Sequence, residues 1–445
     1  MVQQLNASAS VAADGSTPAA EQVEARGLVH NLLFSVLGQG GYVLAQLGVL
    51  SALGHFRGPE AIGEFGLALA ITTPVFMLAN MGVRTNQASD VRKDFAFAEY
   101  AGLLLPLALG AAFVSIALGL LLASSSGTFL IVLIVSITKA FEAISNLSYG
   151  AFQQAGRMDK VASSLLIRGA LTVVAFATLL WLGVETDVAF VAQLVIWSIL
   201  AVAYDYPRAC RVASRAWVWP TWRRDRLRQL LKNTAPVGAG HFMNALMVSL
   251  PRLFIDRLLG LEAVGLFTAV GYFQQAATLV VNAVSQALVN QFARFRRDGE
   301  EKAMRAAILT LMVAATLTSV LGLLLVHYAG GAILAFLFGP EFRSMDDLLM
   351  LIALAVSAKL FSALPQSLMH ADRRFGAYFW YQAASLGFCV ALLAVLVPLW
   401  GLMGAGYAVV AVALFRLAVL TTATAMTRRD PRHASESIGA ATKVA

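Results

Sequence analysis

The feature that most constrains this chain is a succession of apolar runs, each long enough to cross a bilayer and separated by short polar connections. A spanning helix needs about 20 mostly apolar residues, because hydrocarbon tolerates no unpaired backbone group. Runs of that length lie at 28–53, 61–82, 101–123, 128–149, 161–183, 187–206, 235–257, 263–290, 304–327, 346–369, 377–399 and 401–426. Twelve spans in 445 residues leave almost nothing for a soluble catalytic domain. Composition agrees: 59% of residues are hydrophobic and 13% charged, with a mean hydropathy of +0.72, far from a soluble globular domain. The two cysteines, Cys210 and Cys389, cannot build a disulfide framework or a multi-cysteine metal site. The expectation is an all-α polytopic membrane protein without a cofactor or metal.

A formal charge of +8 suggests nucleic acid until the basic residues are placed along the spans. Lys and Arg in short loops collect on the cytoplasmic side. Most of the 33 basic residues fall on one side of the twelve-span count, including seven arginines between 208 and 232. Against them stand only Arg57, Arg257 and Arg343. The excess charge is therefore topological, nucleic acid is not an expected partner, and both termini are expected in the cytoplasm. Residues 1–26, rich in Ala, Ser and Gln, read as a disordered tail, 208–232 as a basic linker on the membrane surface, and 428–445 as a second tail. The linker carries Trp217, Trp219 and Trp222 among its arginines, a mixture that suits anionic headgroups.

The linker separates two stretches, 27–207 and 233–427, that echo one another. Gly58-Pro-Glu-Ala-Ile-Gly-Glu-Phe65 matches Gly260-Leu-Glu-Ala-Val-Gly-Leu-Phe267, and at the same spacing Asn31 matches Asn233, Gly38 matches Gly240 and Arg92 matches Arg294. A second echo pairs Gln154-Ala-Gly-Arg157 with His370-Ala-Asp-Arg373. An even number of spans per stretch makes the two halves parallel repeats, two six-helix bundles around a central cavity, which is an architecture for alternating access.

Asn31-Leu-Leu, the turn Arg57-Gly-Pro-Glu-Ala-Ile-Gly-Glu-Phe-Gly66, Gly82-Val-Arg-Thr, Asp256 ahead of Gly260, Phe338-Gly-Pro-Glu-Phe342 and His370-Ala-Asp-Arg succeed one another in an order that resembles bacterial polysaccharide flippases of the Wzx (O-antigen) kind. These belong to the multidrug/oligosaccharidyl-lipid/polysaccharide exporter superfamily, and the resemblance covers roughly 27–430. It implies movement of undecaprenyl-diphosphate-linked oligosaccharides across the bacterial inner membrane, with H+ or Na+ as the suspected driver. Membrane lipids and a polysaccharide polymerase or export machinery are the partners it implies. The family fixes few functional residues, so the site has to come from this chain.

An ionisable side chain in hydrocarbon costs about 2.5–3.5 kcal/mol on insertion scales, so each one marks a wet or partnered place. Lys139, Arg168, Arg252, Lys359 and Arg416 stand inside the spans against Glu142 and Asp256. A net basic interior suits an acidic, diphosphate-bearing cargo. Lys139 and Lys359 fall near mid-span at related repeat positions and on about the same face, so two lysines facing across one cleft are expected. A plain i,i+3 pair of Lys139 with Glu142 explains the first equally well. Arg416 reads as a cavity residue, whereas Arg168 reads as well as a side chain snorkelling back to the headgroups. Arg252 and Asp256, spaced i,i+4 beside Pro251, suggest an ion pair on a kinked helix, either a gate or a fixed helix end. Glu142 and Asp256 are the carboxylates available for ion coupling. Gln39, Asn146, Asn244 and Gln275 are candidates for bonding sugars, although interhelical bonding accounts for such residues too.

Two other functions compete. A cation-coupled multidrug exporter would be expected to have an acidic cavity. A polytopic lipid-sugar glycosyltransferase or polymerase needs catalytic groups on a sizeable loop, and the one long outward stretch, 328–346, reads as an apolar surface segment, Gly331 to Phe338, without a His/Asp/Ser constellation. An enzyme is not expected.

Overall fold

The computed structural model describes residues 18–90, 92–213, 217–278, 301–371 and 375–427. These residues form helices and connections and contain no strand. In chain order the helices are α1 (Pro18–Asn80), α2 (Val83–Ser89), α3 (Phe97–Leu122), α4 (Ser126–Gln154), α5 (Met158–Trp181), α6 (Thr186–Ile199), a π-helical turn (Leu200–Asp205), α7 (Tyr206–Ala213), α8 (Arg224–Leu259), α9 (261–278), α10 (Glu301–Phe338), a 3-10 turn (Pro340–Met345), α11 (Asp346–Ala371) and α12 (Phe375–Thr427).

Seven helices among the described residues are long and apolar enough to cross a membrane. That figure differs from the run count partly because two of them contain a bend. Helix α1 turns back at Gly58, whose φ of 78° belongs to the left-handed region open to glycine, and α12 bends at Trp400 and Gly401. Gly58 is succeeded by Pro59, which has no N–H to lose at the start of a new helical limb. Its repeat partner Gly260 has a φ of 87° and separates α8 from α9 in the same way. The echo read in the sequence is therefore a pair of equivalent reversals.

Several boundaries differ from the sequence expectation for one reason: good helix formers carry a spanning helix beyond the hydrocarbon. Helix α1 begins at Pro18, on Ala, Glu and Gln residues expected to lie in a tail; residues 1–17 and the second expected tail, 428–445, lie outside the described set. The supposed linker is largely helical, since α7 reaches Ala213 and α8 starts at Arg224, leaving 217–223 as its extended part. The apolar stretch 331–338 is no surface segment but the last turns of α10, a helix of 38 residues. Helix α8 runs through both Pro236 and Pro251 without leaving helical conformation.

Two large clusters carry most of the buried core among the described residues, with a small third one at Tyr381 and Leu420. The first gathers Leu50, Leu53, Ile62 and Phe65 of α1, Phe176 of α5 and Phe190 of α6 together with Ile255, Val264, Phe338, Phe342, Leu349 and Leu393. It joins the two stretches at the end that carries Gly58 and Gly260. There Gly63 and Gly265 lie so close that a Cβ on the first would overlap the Leu261 carbonyl oxygen and one on the second the Pro59 carbonyl oxygen. The other part, at the linker end, draws its buried residues from α1 to α5 and α7, with Leu230 of α8. Among the described residues none of α9 to α12 enters it. The two stretches thus share a broad core at one end, and at the other α8 still packs on the first stretch, with Gly238 close against Met81 and Leu230 in the second core.

Candidate functional site: the cationic interior

In the second stretch, Arg416 on the far limb of α12 is held by three neutral oxygens. Its Nε donates to the Tyr381 hydroxyl at 2.8 Å, Nη2 to Gln382 Oε1 at 3.0 Å and Nη1 to Asn244 Oδ1 at 3.3 Å. Lys359 on α11 donates to the Thr278 hydroxyl of α9 at 2.8 Å and lies within the electrostatic reach of Arg416. Neither forms an ion pair with a carboxylate among the described residues. Gln382 is fully buried, and its Nε2 has no hydrogen-bond partner among the described residues. Two cations and a spare amide donor therefore sit together in a neutral setting, and such a place gains from an added anion.

The first stretch resolves its charges differently. Arg168 is 1% exposed; its Nη2 donates to Asp205 Oδ2 at 3.1 Å and also to the Ser145 hydroxyl, and its guanidinium stacks over Trp197 at 4.8 Å. The snorkelling expected for Arg168 does not occur, because a carboxylate meets it within the bundle. The π-helical turn delivers that carboxylate, since a π-turn inserts a residue into a helix and rotates the side chains beyond it. Lys139 pairs with Glu142 at 3.2 Å, with 16% and 28% of the side chains exposed. Glu142 in turn acts electrostatically on Tyr42 of α1 and Tyr272 of α9.

The structure brings Lys359, Arg416 and Asn244 into one neighbourhood, and Lys139 and Glu142 into another. Lys139 and Lys359 make no mutual contact among the described residues. Arg252 and Asp256 do not pair: Arg252 Nε donates to the Thr268 hydroxyl at 3.1 Å, and both Asp256 oxygens accept from the Ser124 hydroxyl at 3.2 Å. A partner on a neighbouring helix displaced the neighbour expected along the same one. The Ser124–Asp256 contact joins the two stretches at their closed end, where Arg257 also reaches the Leu121 and Leu122 carbonyls. Gln39 donates to Ser35 one turn back, at 2.9 Å, Asn146 is half-buried on α4, and Gln275 is exposed on α9.

Sequence reasoning missed Asp205, Tyr381, Gln382, Thr278 and Ser124. Asp205 had a signal, a carboxylate inside the apolar run 187–206. The four neutral residues carried none, because amides and hydroxyls are frequent in such helices.

Long apolar helices folded into two stretches with a shared closed end and buried arginines define a polytopic membrane fold. Similarity to solved structures agrees with that class. The lipid II flippase MurJ in an inward closed conformation superposes with a TM-score of 0.67 at 14% identity, over 88% of this chain and 87% of that one. A superfamily transporter from Pyrococcus furiosus, described as having a binding pocket of reverse polarity, gives 0.62 at 14% identity over 90% and 95%. An inward-facing multidrug resistance MATE family transporter gives 0.61 at 14% over 89% and 94%. The chain belongs to the polysaccharide biosynthesis protein family, whose model matches residues 28–296. The capsular polysaccharide biosynthesis protein CapF of Staphylococcus aureus is 21% identical over 358 residues, which is 78% of this chain and 86% of that protein.

Proposed function

We propose that this protein is a flippase for lipid-linked oligosaccharides, taking undecaprenyl-diphosphate-linked repeat units at the cleft between the stretches 27–207 and 233–427 and releasing them at the opposite face. The observation that carries this reading is the pair Lys359 and Arg416, two interior cations held, among the described residues, by neutral oxygens alone. A diphosphate entering a low-dielectric cleft loses its hydration, and uncompensated cations offset that loss through charge-assisted hydrogen bonds. An organic cation would find the reverse, which counts against a multidrug exporter. Family membership and the CapF relative support a role in surface polysaccharide assembly; the crowding of Lys and Arg on one side supports an inner-membrane protein of twelve spans with both termini and the linker end in the cytoplasm. Polysaccharide polymerase or export machinery would take the product. Cation coupling, by H+ or Na+, is assigned to the part-exposed Glu142 beside Lys139, and Asp256 to the gate at the closed end.

The test is made in cells lacking the gene, by assaying the leaflet of undecaprenyl-linked repeat units and the amount of surface polymer. Finished units retained on the cytoplasmic leaflet, with polymer lost, are the expected result. Restoration by the parent gene and not by Lys359→Gln/Arg416→Gln completes it. Normal polymer with altered drug tolerance moves the protein to the exporters, and truncated repeat units make it an enzyme.

A further inference from the structure

The extended strip 217–223 between α7 and α8 is pinned. Thr221 N–H donates to the Ala98 carbonyl at 3.0 Å, and the Tyr206 hydroxyl to the Val218 carbonyl at 2.8 Å. Just beyond it, Arg226 grips Glu99 through Nε at 2.8 Å and Nη2 at 3.2 Å, and the carboxylate holds the guanidinium pKa above its usual value. The Thr221 carbonyl lies so near Gly102 of α3 that a side chain there would not fit. What the fixed strip turns outward is aromatic. Trp217, Trp219 and Trp222 are 50%, 75% and 63% exposed, and Trp217 packs edge-on against both Tyr206 and Trp219. Indoles that already have a rigid seat and still show this much surface suit the bilayer interface, where a ring meets both glycerol and acyl carbon.

Cations crowd beside them. Helix α7 buries Tyr206, Ala209 and Cys210 and leaves Arg208 half-buried, stacked on Tyr204 at 3.6 Å, and Arg211 exposed. The charges of Arg157, Arg208 and Arg211 all act on Lys160 at the start of α5. The carboxylates facing this group are Asp159, gripped by Arg157 at 3.0 Å, and Asp205, which is buried against Arg168. Lys160, Arg208 and Arg211 thus form a positive cluster next to a row of indoles.

We propose that this face of the linker end is a binding site for anionic phospholipid headgroups, with Lys160, Arg208 and Arg211 taking the phosphate and the three indoles lying at the glycerol level. The exposed aromatic row selects a lipid over a soluble anion, which has no use for it. The site does not depend on the transport reading, since it uses none of the cleft residues.

The test uses the full chain in nanodiscs of phosphatidylcholine with and without phosphatidylglycerol, reading melting temperature and quenching of tryptophan by brominated lipids. Brominated phosphatidylglycerol is expected to quench more than brominated phosphatidylcholine, and Trp217→Phe/Trp219→Phe/Trp222→Phe to abolish the difference. Lys160→Gln/Arg208→Gln/Arg211→Gln is expected to weaken phosphatidylglycerol binding on the order of a hundredfold, at roughly fivefold per cation. Should that variant fail to fold, Lys160→Gln/Arg211→Gln, which leaves the neighbour of Asp205 intact, gives a partial loss, and Arg343→Gln at the other end gives none. Equal quenching by the two brominated lipids overturns the proposal. So does a phosphatidylglycerol response that survives the substitutions, or one that inorganic phosphate reproduces.

Discussion

Among single residues, the two stretches contrast in how they treat an interior arginine. Arg168 has a carboxylate, Asp205, and both are buried; Arg416 has, among the described residues, hydroxyl and amide oxygens alone. Removing one member of a buried pair strands the other charge, so Asp205→Asn is expected to cost about 3–5 kcal/mol and to appear as a marked fall in melting temperature. The double variant Arg168→Met/Asp205→Leu should recover most of the loss, because no charge is left stranded. Arg416→Gln carries the opposite expectation: melting unchanged within a few degrees, since its partners are neutral, and lipid-linked oligosaccharide transport reduced at least tenfold in a leaflet assay. The residues in these roles were unequally legible. Lys139 and Glu142 could be paired from their spacing along one helix. The partners of Arg168, Arg252 and Asp256 lie on other helices or, for Ser124, in the turn between α3 and α4, and their identity depends on rotation and register that a single sequence does not encode locally.

Elements were more legible than residues. Long apolar runs and a repeated Gly-x-Glu-Ala-x-Gly motif located the helices and the equivalent reversals at Gly58 and Gly260, because both arise from strong local constraints: hydrocarbon length and positive φ. Helix ends were not legible, since charged helix formers at 18–26 and 224–232 look the same whether they lie in a loop or in an overhanging turn. The second glycine of each motif packs rather than turns. At the Gly63–Gly265 contact any Cβ meets a backbone carbonyl that cannot swing aside. Gly63→Ala is therefore expected to destabilise by about 1–3 kcal/mol, read as a lower unfolding temperature. Gly110, which has open space around it, is the matched control and should tolerate alanine.

On the scale of the whole molecule, the two stretches meet through a broad shared core at one end, while at the other, among the described residues, α8 alone of the second stretch enters the first stretch's core. A disulfide between Ser124→Cys and Asp256→Cys would bolt the joined end shut. Transport is expected to stop under oxidising conditions and to return on reduction to the level of the double variant kept reduced throughout. Persistent transport by the cross-linked protein would show that this end does not open. The composition of that junction has a further consequence. It consists of apolar side chains and close backbone, with the Ser124–Asp256 and Arg257 contacts as polar additions. Under the alternating access proposed above, the population ratio of the two facings is then set by packing, and ionic strength has little purchase on it. A trimming substitution such as Phe338→Ala, remote from every cation in the cleft, should act as a ballast change, shifting how often the molecule faces each way while leaving its intrinsic affinity for cargo untouched.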